Sequence, residues 1–263
     1  MSDLSLVSPR RTFAWALAAV AATAMPAQAE AWTAPPGCQV FLTVQSKECR
    51  VSNHYRCAAE PEGHRWQADF DPEGLQLLTQ TDAETVPVQI IDPRAGTHWV
   101  MDPVSPMLPT LTGLLTERAA YPDYRMIERK GDVAQVRGFR QRVPESGEVG
   151  APQATVTIDG VTLQAVLFNL DQSGGNGSVQ NIRMGTEYLH SEWRLVFAGP
   201  EQWSKPGDLS AVRDGDRSPV DFIFPGEPEF GTTHPTEDCE LLLSELIHAT
   251  VPTLIEDSKG LLP

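Results

Sequence analysis

Alternation of apolar and polar residues, repeated along most of the chain and punctuated by tight-turn residues, constrains this sequence most. A period of two is the signature of half-buried strands. Trp66, Ala68 and Phe70 point one way while Arg65, Gln67 and Asp69 point the other, and Pro72-Glu73-Gly74 turns the chain into Leu75, Leu77 and Thr79. This is a hairpin pattern. Ala154, Val156 and Ile158 alternate with Thr155 and Thr157, and Asp159-Gly160 separates them from Val161, Leu163, Ala165 and Leu167, read as one face. Both central residues of a type I′ turn need positive φ, so Asp-Gly between alternating runs is the strongest short-range hairpin signal. The Gly174-Gly175-Asn176-Gly177 loop leads to a strand through Ile182, Met184 and Tyr188. Trp193, Leu195 and Phe197 continue the meander, and Val220, Phe222 and Phe224 make a late strand. The pattern predicts an antiparallel sheet built mainly from sequential hairpins.

Two helices are expected within it. Met107, Leu108, Leu111, Leu114 and Leu115 follow helical spacing near 106–118, with Pro106 and Pro109 at the start. Near 236–249, Thr236 is placed to cap a helix whose first turn holds Glu237 and Asp238. Cys239, Leu242, Leu243, Leu246 and Ile247 then recur on one face. The expected fold is mainly β with two short helices: a strongly curved antiparallel sheet or half-open β-barrel, with an apolar helix across its mouth.

The N-terminus reads as an export signal over residues 1–29. Arg10 and Arg11 form a positive region, Phe13 to Met25 a short apolar stretch, and Ala27-Gln28-Ala29 a cleavage site. An apolar stretch of about a dozen residues is shorter than the ~20 needed to span a bilayer, so removal is expected rather than anchoring. Arg10-Arg11-Thr12-Phe13 also partly fits a twin-arginine signal, and the two export routes stay open. The expected organisation after the signal is a disulfide-bearing segment over 30–62, the curved sheet over 63–252 and a flexible tail over 253–263. The location implied is the periplasm, with no transmembrane anchor.

All four cysteines lie beyond the signal, at 38, 49, 57 and 239. In an exported chain an even set reads as two disulfides with three possible pairings; Cys38 with Cys57 and Cys49 with Cys239 is preferred. The alternative is a zinc site of Cys38, Cys49, His54 and Cys57, although its spacing lacks a close Cys-x2-Cys pair. Neither a metal nor a cofactor is predicted.

The chain carries 20 Lys+Arg against 35 Asp+Glu, and loss of Asp3, Arg10 and Arg11 with the signal leaves 18 against 34, a net of −16. Such a surface repels phosphate backbones and excludes nucleic acid as a partner. Catalytic patterns are absent: there is no Gly-x-Ser-x-Gly elbow, His-Glu-x-x-His or phosphate-binding glycine loop. His190, Ser191 and Glu192 are adjacent, but consecutive residues point in different directions and cannot converge as a triad. Glu187 with Glu192 is a formal glycosidase-like pair among many acidic residues. No catalytic residue is assigned.

Long hairpins around one apolar helix, over roughly Trp66 to Phe224, resemble the shell of periplasmic lipoprotein carriers and related exported lipid-binding half-barrels. That resemblance is architectural. A more local one is carried by Cys38-Gln-Val-Phe-Leu-Thr-Val-Gln-Ser46, Ser52-Asn-His-Tyr-Arg-Cys57, Gly63-His-Arg-Trp66, Glu187-Tyr188 and Glu192-Trp193-Arg194. These stretches resemble uncharacterised exported proteins of Gram-negative bacteria, which implies a compartment and no reaction.

If the curved sheet does not close on itself, strand aromatics and helix leucines are the residues to line an apolar pocket. The candidate ligand-binding residues are Trp66, Phe70, Leu111, Leu115, Phe168, Trp193, Phe197 and Phe222. The expected function is noncatalytic binding of an apolar ligand, a lipid or acyl chain, or of an envelope protein partner. The alternative is an envelope hydrolase whose carboxylate or metal site is assembled from distant residues.

Overall fold

The computed structural model describes residues 31–240 apart from 107, 109, 118 and 145–153. The first six strands are β1 (Cys38–Ser46), β2 (Arg50–Cys57), β3 (Arg65–Asp71), β4 (Gly74–Thr81), β5 (Pro87–Asp92) and β6 (Thr97–Met101). Helix α1 (Leu111–Glu117) and the short β7 (Ala119–Ala120) precede β8 (Asp123–Glu128) and β9 (Val133–Arg142). Then come β10 (Thr155–Ile158), β11 (Val161–Gly174), β12 (Val179–His190), β13 (Leu195–Lys205), β14 (Asp208–Asp216) and β15 (Pro219–Ile223). All fifteen belong to one antiparallel sheet with the path β14-β13-β12-β11-β9-β8-β6-β5-β4-β3-β2-β1-β15.

This order forces curvature. Thirteen strands on one path span twelve spacings, ~58 Å of sheet at ~4.8 Å each. Yet the strands at its two ends, β14 and β15, are joined by Arg217 and Ser218 alone, so Asp216 and Pro219 lie within ~11 Å of each other. The sheet therefore curls into a barrel whose last two edges approach without pairing, the half-open form expected from the hairpin pattern. β14 pairs only the Pro200–Lys205 part of β13. Below it, β15 packs beside β13.

The expected hairpins form where the turn chemistry placed them. Asp159 and Gly160 adopt φ of 47° and 73° between β10 and β11. The face shared by Val161, Leu163, Ala165 and Leu167 is not buried throughout: Leu163 is fully buried whereas Leu167 is 45 % exposed. β11 changes partner along its length, pairing β10 through Gln164 and β9 from Val166 onward, with no register shift between Val161 and Gln172. Leu163 and Leu167 therefore stay on one face, which the cluster of Leu42, Phe197 and Phe222 covers at Leu163 and which is open at Leu167, while Val166, Phe168 and Leu170 turn inward. Further along, Gly138 lets β9 approach β11 closely, since a Cβ there would lie 1.9 Å from the Asn169 carbonyl oxygen.

Residues 31–62 do not stand apart from the sheet, because β1 and β2 form a hairpin that pairs β3 directly. The outward face of this hairpin buries Val51, Tyr55, Ala68 and Phe70 beneath Trp32 and Ala34 of the N-terminal arm. Asn53 and Gln45 fasten the segment after β15 to the same face through the carbonyls of Thr232 and His234, at 2.8 and 3.1 Å. The inward face meets β13 and β15 in a core of Leu42, Val44, Leu163, Leu195, Phe197 and Phe222.

Helix α1 is shorter than the expected 106–118. It starts at Thr110, whose hydroxyl accepts the Gly113 N–H at 3.1 Å in N-cap geometry. Leu111 and Leu114 pack on Val166 and Leu189 inside the barrel. Glu84 accepts hydrogen bonds from the Thr112 N–H and hydroxyl and pairs with Arg194 at 2.6 Å, so the helix ties two loops together at one mouth. Thr236 does not cap a helix; its N–H donates to Gln45 and Asp238 has a φ of 58°. The rest of the helix expected over 236–249, the tail 253–263 and the signal 1–29 lie outside the described residues.

The disulfides are Cys38–Cys57 and Cys49–Cys239. The thiolates of the alternative zinc site are thereby consumed. Among the described residues no helix is long and apolar enough to cross a membrane.

Candidate functional site

The sheet has apolar residues on its outward face in both halves, and the two halves are covered differently. Over β1–β4 the cover is the N-terminal arm and the segment after β15. Over β9 and β11–β14 the same face is covered around Leu163 and Phe197 by Leu42, Val44 and Phe222, and is open around Phe139, Leu167 and Met184. Strand register sets Phe139, Asn169, Met184, Gln202 and Asp214 in one row across these five strands, with Leu167 and Thr186 in the next. They line an open groove of about 500 Å³. Phe139, Leu167 and Met184 are each 38–45 % exposed, so the groove presents apolar side chains to solvent. Its polar residues, Asn169, Thr186, Glu201, Gln202 and Asp214, include no cation.

Beneath the groove the inward face is charged. Arg140 forks onto Glu187, with nitrogen–oxygen distances of 2.9 and 3.2 Å. Burial alone would lower Arg140, but the Glu187 carboxylate more than offsets it and holds the guanidinium charged. Glu201 is 4 % exposed and receives both Arg183, at 2.5 Å, and Arg217. Burial pushes Glu201 up, the two guanidiniums pull harder, and its carboxyl ends below the usual range. Arg183 also lies over the rings of Phe168 and Trp203, at 5.7 and 5.1 Å.

A second, interior cavity of about 80 Å³ lies between β1–β3 and β13. Ser52 donates to Asp69 at 2.5 Å and Gln67 donates to the same carboxylate oxygen at 2.7 Å. Burial raises Asp69 despite those bonds. His54, also in the wall, is lowered to about 3 by burial and by Arg65, which keeps the ring neutral.

The candidate ligand residues read from the sequence separate into distinct packing clusters. Trp66 and Phe70 lie on the outward face under Trp32. Leu111 is buried and Leu115 half-buried in the helix cluster. Phe197 and Phe222 are core, with Trp193 packed on them and stacked on His190 at 3.8 Å. Only Phe168 lines the open groove. Phe139, Leu167 and Met184 had no distinguishing mark in the sequence, since their alignment depends on pairing register.

The hydrolytic alternatives do not assemble. His190 accepts the Trp193 N–H at 3.1 Å within a turn, and Glu187 is committed to Arg140 while Glu192 is exposed. Among the described residues no group of three or more His, Cys, Asp or Glu is arranged to hold a metal. Comparison with protein-family models, with curated proteins and with solved structures returned no match.

Proposed function

We propose that this is a noncatalytic, exported protein of the periplasm that binds the apolar chain of an uncharged or zwitterionic lipid in the groove across β9 and β11–β14. The observation that carries this reading is the exposed row of Phe139, Leu167 and Met184 on a sheet whose other apolar outward half is covered by the chain itself. A volume of about 500 Å³ falls in the range of small-molecule sites. Asp214 at the groove and the net charge of −16 oppose an anionic headgroup. Two disulfides favour an oxidising compartment, which supports export.

A fluorescence titration with an uncharged naphthylamine probe tests the reading. Saturable binding that falls about tenfold or more in Leu167→Asp and in Met184→Asp supports it, a change of ~1.4 kcal/mol or greater. Binding unchanged in both variants overturns it. Binding that appears only after truncation at Glu240 also overturns it, by making residues 241–263 the natural occupant of the groove.

A further inference from the structure

We propose that the interior cavity between β1–β3 and β13 is a second site, which holds a small oxyanion, a carboxylate or phosphate group, on Arg50 and Arg217. The cavity lining holds two guanidiniums, Arg50 and Arg217, and one carboxylate, Asp69. Arg183 and Arg217 share the single carboxylate of Glu201. Arg50, on the opposite wall, donates to the neutral Gln76 and forms no ion pair among the described residues. Its Nε is buried with no hydrogen-bond partner. Unsatisfied buried donors signal a missing water or ion, and a guanidinium is suited to hold an oxyanion through paired N–H groups.

The remaining wall fits the same ligand class. Ser46 contributes a hydroxyl, while that of Ser52 already donates to Asp69, a carboxylate of the same wall. A volume of about 80 Å³ exceeds what one water needs by about five- to eightfold, so a carboxylate or phosphate fits with solvent to spare. The overall negative charge repels anions from the outer surface. Anion binding at this point therefore depends on local arginines and not on bulk attraction. The site is separate from the apolar groove, and neither proposal rests on the other.

The test is thermal unfolding of the disulfide-bonded mature protein in inorganic phosphate or acetate, against chloride at matched ionic strength. Whichever oxyanion the site takes raises Tm by about 3–5 °C for each tenfold increase beyond half-saturation. The response disappears in Arg50→Gln and survives in Arg129→Gln, where the arginine is exposed far along the sheet. If Arg50→Gln fails to fold, Arg50→Lys keeps the charge without the paired donors and shifts half-saturation to at least tenfold higher anion. Equal responses in chloride, an undiminished response in the foldable Arg50 variant, or only ordered water in the cavity at saturating phosphate and acetate overturns the proposal. Naphthylamine-probe binding in the groove is expected to stay unchanged in the Arg50 variants.

Discussion

Removing Cys49–Cys239 by Cys49→Ala with Cys239→Ala should destabilise the protein more than removing Cys38–Cys57 by the equivalent pair. The two bridges close loops of very different length, with sequence separations of 190 and 19. Chain-entropy arithmetic gives about 5 kcal/mol for the long loop and about 3 kcal/mol for the short one. The native contacts point the same way. Cys38 and Cys57 are direct partners at the end of a ladder that continues to Ser46 and Arg50, so the strands stay aligned without their bridge. Cys239 instead anchors the far end of the segment after β15, which otherwise touches the hairpin through Thr43, Asn53 and Gln45 and through the Cys49 N–H to Glu237 bond of 2.8 Å. Urea titration of the oxidised protein and the two double variants measures each loss. The long-loop variant should unfold lowest, with Tm about 4–8 °C below the short-loop variant. Equal losses, or a larger loss for Cys38–Cys57, would refute the reasoning.

Three further outcomes follow from buried ionisable groups. His54 is neutral in the fold with a pKa of about 3 against 6.5 when unfolded, so its stabilising contribution is complete above pH 6.5 and lost as pH falls toward 3. Urea midpoints should drop by the equivalent of about 1.4 kcal/mol per pH unit in that window, and His54→Gln should flatten the slope. Asp221 is raised by burial and by its hydrogen bond with Asp159, so it opposes folding once ionised; Asp221→Asn should raise Tm at pH 7 and leave it nearly unchanged below pH 3.8. Glu187→Gln strands the Arg140 guanidinium and should cost about 3 kcal/mol in urea unfolding, with much of the loss recovered by also changing Arg140→Met.

What the sequence revealed and concealed has a physical pattern. Asp159-Gly160 and Pro72-Glu73-Gly74 set their hairpins locally, so turn chemistry alone exposed them. Strand β9 was missed because Arg140 and Arg142 share the inward face with Ala134 and Val136, which breaks the apolar alternation. Their charges are tolerated there through partners on other strands, as with Arg140 and Glu187. The groove was hidden for a different reason: Leu167 shares a face with the buried Leu163 and reads as core, but the cluster that covers Leu163 does not include it. Register across five strands, which no single segment encodes, brings Phe139 and Met184 beside it.

The most direct test of the binding account is native mass spectrometry of the full mature chain purified from the periplasm, without reductant. The account predicts a protein carrying both disulfides with a lipid-sized adduct, and loss of that adduct in the Leu167→Asp, Met184→Asp double variant. A chain of bare mass in both proteins, or an adduct indifferent to the double variant, would contradict it.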